Sequence, residues 1–124
     1  MPLRLRNVTF MTCDPGRLAD FWMAATGYSE RRDVHGEVIL APAGWGYPRF
    51  TFQRVDEPKA TPGPVHLDLT ADDMDAEVER LLGLGATRST ETGTVTSGGM
   101  TWTVLLDPDG NAFCVVQRPA GEQP

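Results

Sequence analysis

Asn7-Val-Thr-Phe-Met-Thr-Cys-Asp14 and His66-Leu-Asp-Leu-Thr-Ala-Asp-Asp73 are the two stretches on which the fold turns. Each is a strand-like run closed by a carboxylate. Each is followed by a helical run and a glycine, Arg17 to Thr26 with Gly27 and Met74 to Leu84 with Gly85. Asn7 and His66 stand seven residues ahead of Asp14 and Asp73. A repeat of that length predicts two half-domains of like topology, with a binding site expected where they meet.

Working outward, Asp14-Pro15 suits a helix start, because an aspartate caps free N–H groups and proline is tolerated in the first turn. Leu18, Phe21, Trp22 and Ala25 then recur at spacings of three and four, one apolar helical face. Met74, Val78, Leu81 and Leu82 mark the equivalent face of the second helix, and Asp72, Asp73 and Asp75 favour its N-terminus electrostatically. Between the helices the period changes to that of strands, predicted at 28–33, 37–41 and 49–55. Further strands are predicted at 86–92, 101–106 and 113–117, separated by the turns Ser97-Gly-Gly99 and Asp107-Pro-Asp-Gly-Asn111. The Pro-rich segment 56–64 is too polar to form an element and reads as a linker. The expectation is an α+β chain with module one at 3–55, the linker at 56–64, module two at 65–119 and a tail at 120–124.

Composition narrows the function. A net charge of −6 and a pI near 4.7 argue against a nucleic-acid or anionic-membrane partner, which needs a basic face. No apolar run approaches the roughly 20 residues of a membrane span, and the start lacks a secretory signal, so a cytoplasmic location is expected. Cys13 and Cys114 have no CxxC spacing and read as reduced, partly buried thiols. No Ser-His-Asp arrangement, phosphate loop or dinucleotide fingerprint is visible.

Written as β-α-β-β-β twice, the chain resembles the vicinal oxygen chelate superfamily, the group of glyoxalase I, bleomycin resistance proteins and extradiol dioxygenases. The resemblance rests on Asp14-Pro-Gly-Arg-Leu-Ala-Asp-Phe-Trp22 through Thr26-Gly-Tyr28, on Ala76-Glu-Val-Glu-Arg-Leu-Leu-Gly-Leu-Gly-Ala86 and on Asp107-Pro-Asp-Gly-Asn-Ala-Phe113. It is greatest to the glyoxalase-like domain branch and covers about Leu3 to Pro119. The resemblance implies one domain whose mixed sheet curls around a central cleft, pairing of two chains into a homodimer, and four metal-ligand positions. Those positions fall on Asn7, Gln53, His66 and Cys114. Only His66 keeps a customary ligand identity. Asn7 and Gln53 offer neutral carboxamides, and Cys114 stands where the family usually places a glutamate, so no metal and no cofactor are expected.

Alternation puts Asp68 on the face of His66, with Thr9 as its counterpart in module one. His66 reads either as a cleft residue, serving as donor, general base or remnant ligand, or as a histidine kept by packing. Asp68 reads either as a group that orients a ligand or as a solvated strand-end carboxylate. Cys114 reads as a nucleophile only with a depressed pKa and His66 as its base, and otherwise as a small apolar filler. Phe21 and Trp22 fit the core. Trp45 and Tyr47 lie in a Gly/Pro loop, and Trp45, Phe52 and Trp102 form a candidate aromatic lining. The expected function is metal-free binding of a small apolar or aromatic molecule in the inter-module cleft. The alternative is a lyase, isomerase or dioxygenase with an altered metal site, or with His66 and Asp68 transferring protons.

Overall fold

The protein is described as a computed structural model, which places residues 4–57 and 66–122. From residue 58 the expected linker lies outside the described residues, as do Leu3 and Val65. The chain divides into two compact units, Met1–Lys59 and Ala60–Pro124, each built from one helix on one sheet.

Unit one runs β1 (Asn7–Thr12), α1 (Pro15–Thr26), β2 (Glu30–Val34), β3 (Glu37–Ala41), a single helical turn at Ala43–Trp45, and β4 (Arg49–Arg54). Its sheet has the order β1-β4-β3-β2, with β1 parallel to β4 and the other pairs antiparallel. Asp14 caps α1, its Oδ1 accepting from the N–H of Arg17 at 3.2 Å, and Pro15 occupies the first turn. Gly27 ends the helix at φ 76°, a left-handed conformation that glycine adopts without a Cβ clash, with its N–H bonded to the carbonyl of Met23. Leu18, Phe21 and Trp22 of α1 are buried against the sheet. Phe10, Trp22, Phe50 and Phe52 pack as a ring cluster, with Phe10 5.4 Å from Trp22, 5.5 Å from Phe50 and 5.1 Å from Phe52. Burial of each such side chain is worth about 1.5–3 kcal/mol, which makes this cluster the main cohesive element of the unit.

Unit two runs β5 (Leu67–Ala71), α2 (Met74–Leu84), β6 (Thr87–Arg88), β7 (Thr94–Ser97), β8 (Met100–Leu106) and β9 (Ala112–Gln117). The sheet order is β5-β9-β8-β6, with β7 also on β8, and β5 is parallel to β9. Asp73 caps α2 through Ala76, and Met74, Val78 and Leu81 are buried, as are Leu105, Phe113 and Val115 of the sheet. Gln117 ties β9 to the start of α2, accepting from Met74 N–H at 2.9 Å and donating to the Asp72 carbonyl at 2.7 Å. In the turn before β9, the buried Asp107 carboxylate accepts from the backbone N–H groups of Asp109 and Asn111 and from the Asn111 side chain.

The strand expected at 86–92 is interrupted. Ser89 N–H reaches the Val104 carbonyl, and Val104 N–H in turn reaches the Gly93 carbonyl, so Thr90, Glu91 and Thr92 leave the ladder as a loop. The Ser89 hydroxyl accepts from Thr92 N–H and closes that loop locally, a bond polar turn residues offer in competition with a ladder. Pairing resumes at β7, which forms a hairpin with β8 through Gly98 and Gly99, both at positive φ. No helix among the described residues is long and apolar enough to cross a membrane.

Candidate functional site

β5 buries Ala71 toward α2 and leaves His66, Asp68 and Thr70 exposed, because successive side chains of a strand point to opposite faces. Parallel pairing places Asp68 beside Cys114 of β9, which faces Val104 of β8; the next row is Thr70, Val116 and Trp102. That sheet face carries a pocket of about 410 Å³, within the range of small-molecule sites. Its wall is apolar, made of Met100, Trp102, Val104, Ala112 and Val116, and its polar end holds His66, Asp68 and Cys114.

At that end Asp68 is the centre. His66 Nε2 lies 3.1 Å from its Oδ1, and the Cys114 thiol is hydrogen-bonded to the same carboxylate. Burial, followed by the charge of Asp68 and that hydrogen bond, pushes the Cys114 thiol from 9.0 up to about 11. A nucleophilic cysteine needs the reverse, a thiolate held by an adjacent base or cation. The carboxylate takes the thiol's hydrogen bond, so the arrangement favours the protonated form of Cys114. His66 and Asp68 remain about half and two-thirds exposed.

The four positions that resemblance assigns to a metal do not fit a hard divalent cation. Asn7 and Gln53 supply neutral amides, and Cys114 supplies a soft sulfur where a hard site takes a carboxylate. A different set fits a softer ion. One donor atom each from His66, Asp68 and Cys114 lies within 4.8 Å of the others. Three ligands of a tetrahedral zinc, with bonds of about 2.0–2.3 Å, need little movement from such a triangle. Asp68 is the donor that sequence reasoning passed over, although its place on the His66 face was legible.

The remaining expected residues lie in unit one. Asn7 and Thr9 adjoin on β1, with Asn7 Nδ2 donating to Thr9 Oγ1 at 3.0 Å, and Gln53 pairs with Met11 on the same sheet face. Phe52 is not a lining residue. It alternates with Gln53, points to the helix side and is fully buried on Phe10, so it belongs to the core. Trp45 sits in the turn before β4, stacked by the guanidinium carbons of Arg32 at 5.1 Å and Arg49 at 5.6 Å. Neither arginine was singled out from sequence, although Arg49 shares the parity of Gln53 on β4. Of the two cysteines only Cys114 is buried; Cys13 is exposed, because it follows the last residue of β1 at the turn into α1.

Comparisons with known proteins agree with this architecture. Residues 7–116 match the family described as Glyoxalase-like domain. No curated protein sequence matches the chain. Among solved structures, a glyoxalase/bleomycin resistance protein/dioxygenase family enzyme from Burkholderia phytofirmans PsJN superposes with a TM-score of 0.74 at 18% identity, covering 93% of this chain and 98% of that one. A glyoxalase-related enzyme from Fulvimarina pelagi gives 0.72 at 16% identity, with 94% and 88% covered. A member of the same superfamily from Sphaerobacter thermophilus DSM 20745 gives 0.69 at 20% identity, with 94% and 98% covered. The chain therefore belongs to the family described as Glyoxalase-like domain.

Proposed function

We propose that this glyoxalase-like protein binds a small molecule in the pocket of its second unit without a metal ion. The ligand has an apolar or aromatic body and a hydrogen-bonding end. The observation that carries this reading is the contact of the three polar groups with one another: Asp68 lies 3.1 Å from His66 Nε2, and its carboxylate takes the hydrogen bond of the Cys114 thiol, so the three groups partner one another within the pocket. The apolar wall offers dispersion and area burial to the body of the ligand, with Trp102 as its aromatic member. The exposed edges of His66 and Asp68 accept from or donate to an amine, phenol or hydroxyl.

The test is a screen of aromatic amines and phenols by tryptophan fluorescence, repeated after chelation and in Trp102→Phe and His66→Ala. The reading predicts saturable quenching, unaffected by chelation and lost from the signal in Trp102→Phe. Ligand affinity that disappears on chelation would refute it. A second reading is favoured by the donor triangle alone: a zinc ion held by His66, Asp68 and Cys114, in a lyase, isomerase or dioxygenase of this superfamily. Stoichiometric zinc in protein purified without a tag, lost in His66→Ala, would select that reading over the first.

A further inference from the structure

Unit one carries a second cluster, which the pocket of unit two does not involve. Five side chains alternate as cation and ring: Arg32, Trp45, Arg49, Tyr47 and Arg6. Arg49 lies 4.3 Å from the Tyr47 ring centroid and Arg6 lies 5.3 Å from the same ring, completing the series begun by Arg32 and Arg49 on Trp45. Such stacking occupies the faces of a guanidinium and leaves its in-plane N–H groups for hydrogen bonds.

Three further observations bear on this cluster. First, the chain carries a net charge of −6, yet among the described residues none of Arg6, Arg32 and Arg49 forms an ion pair, whereas Arg31, Arg80, Arg88 and Arg118 do. Glu30, on the strand of Arg32, has its carboxylate on the N–H of Gly44 instead. Second, the cluster is built in place. Arg49 is half-buried and donates to the carbonyls of Trp45 at 2.6 Å and Gly46 at 3.4 Å, and Arg6 donates to the Tyr47 hydroxyl at 3.2 Å. Third, Trp45 is held at φ 58°, a left-handed conformation rare for a bulky residue and kept where a surrounding structure requires it.

We propose that this cluster is a recognition site for a small dianion, a dicarboxylate or a phosphate monoester. Arg49 serves as the fixed member, and Arg32 and the N–H groups of Arg6 not bound to Tyr47 supply the donors. A dianion offsets two of the three guanidinium charges where a monoanion offsets one, which favours two negative charges on one molecule. Arginine suits both headgroups because its planar fork matches carboxylate and phosphate oxygens in pairs.

Calorimetric titration at constant ionic strength tests this with phthalate, inorganic phosphate and benzoate as probes. Saturable binding of phthalate or phosphate is expected, weakened about tenfold in Arg32→Gln and in Arg6→Gln and unchanged in Trp102→Phe. Binding of phthalate alone assigns a dicarboxylate, and of phosphate alone a phosphate monoester. Arg32 is exposed and outside the core, so its variant retains the native melting curve and the comparison is free of unfolding. Absence of saturable binding by either dianion, equal binding of benzoate, or dianion binding untouched by both arginine variants would each overturn the proposal.

Discussion

The pocket end of unit two makes a kinetic prediction about Cys114. Raising a thiol from 9.0 to about 11 lowers its thiolate fraction at neutral or mildly alkaline pH by about 100-fold. Thiolate is the species that iodoacetamide alkylates, so native Cys114 labels about 100-fold more slowly than an ordinary exposed thiol from ionisation alone, and burial adds to that factor. Cys13, exposed in the same molecule, serves as the internal comparison. The assay is a time course at pH 8, read by mass spectrometry of the two cysteine peptides, with a urea-unfolded sample to define the unprotected rate. Asp68→Asn removes the charge and the carboxylate acceptor but leaves the burial, the largest cause, so the variant recovers part of the rate and not all of it. Equal labelling of Cys114 and Cys13 in the folded protein, or no acceleration in Asp68→Asn, would refute the electrostatic account of the site.

The raised thiol has a linked effect on stability. The fold favours the neutral form, so its contribution is complete below pH 9.0 and is lost as pH rises through about 11; urea midpoints measured across that window should fall more in the parent than in Cys114→Ala. Phe52→Ala should cost about 3–5 kcal/mol in urea unfolding, because it opens a void within the Phe10 and Phe50 cluster. Asp107→Ala should cost on the order of 2–3 kcal/mol, since the Asp109 and Asn111 N–H groups lose their acceptor. Asp33 is hydrogen-bonded to Arg31, which lowers its carboxyl from 3.8; a carbon-detected NMR titration should show that midpoint return upward in Arg31→Gln.

Most of the architecture was legible because local signals and the repeat agreed. Asp14-Pro15 and Asp73 cap the two helices, Gly27 and Gly85 end them, and α2 spans Met74–Leu84 as the periodicity requires. The alternation of β5 also carried His66 and Asp68 to one face, and the DPDGN turn set β9 so that Cys114 met them. What failed did so for long-range reasons. Phe52 and Gln53 are adjacent in sequence and opposite in space, so an aromatic suited to a ligand wall was assigned to the wrong face. The break after Arg88 depends on the two bonds of Ser89 and Gly93 to Val104, which no local pattern shows. The stacked arginines were invisible because Arg6, Arg32 and Arg49 come from three separate segments and converge only through strand pairing.

The loop of Thr90, Glu91 and Thr92 also bears on how the second sheet meets other chains. An outer strand of unbroken β geometry presents a row of free donors and acceptors, an open template for a foreign strand. Here the outer side of β8 is covered by two short pieces, β6 and β7, with a polar three-residue excursion carrying a carboxylate between them. An incoming strand would meet a break in register at that gap. Among the described residues the opposite edge of this sheet is β5, whose ladder to β9 runs without a break from Leu67 to Ala71 and so keeps the regular geometry that the β6 and β7 side lacks.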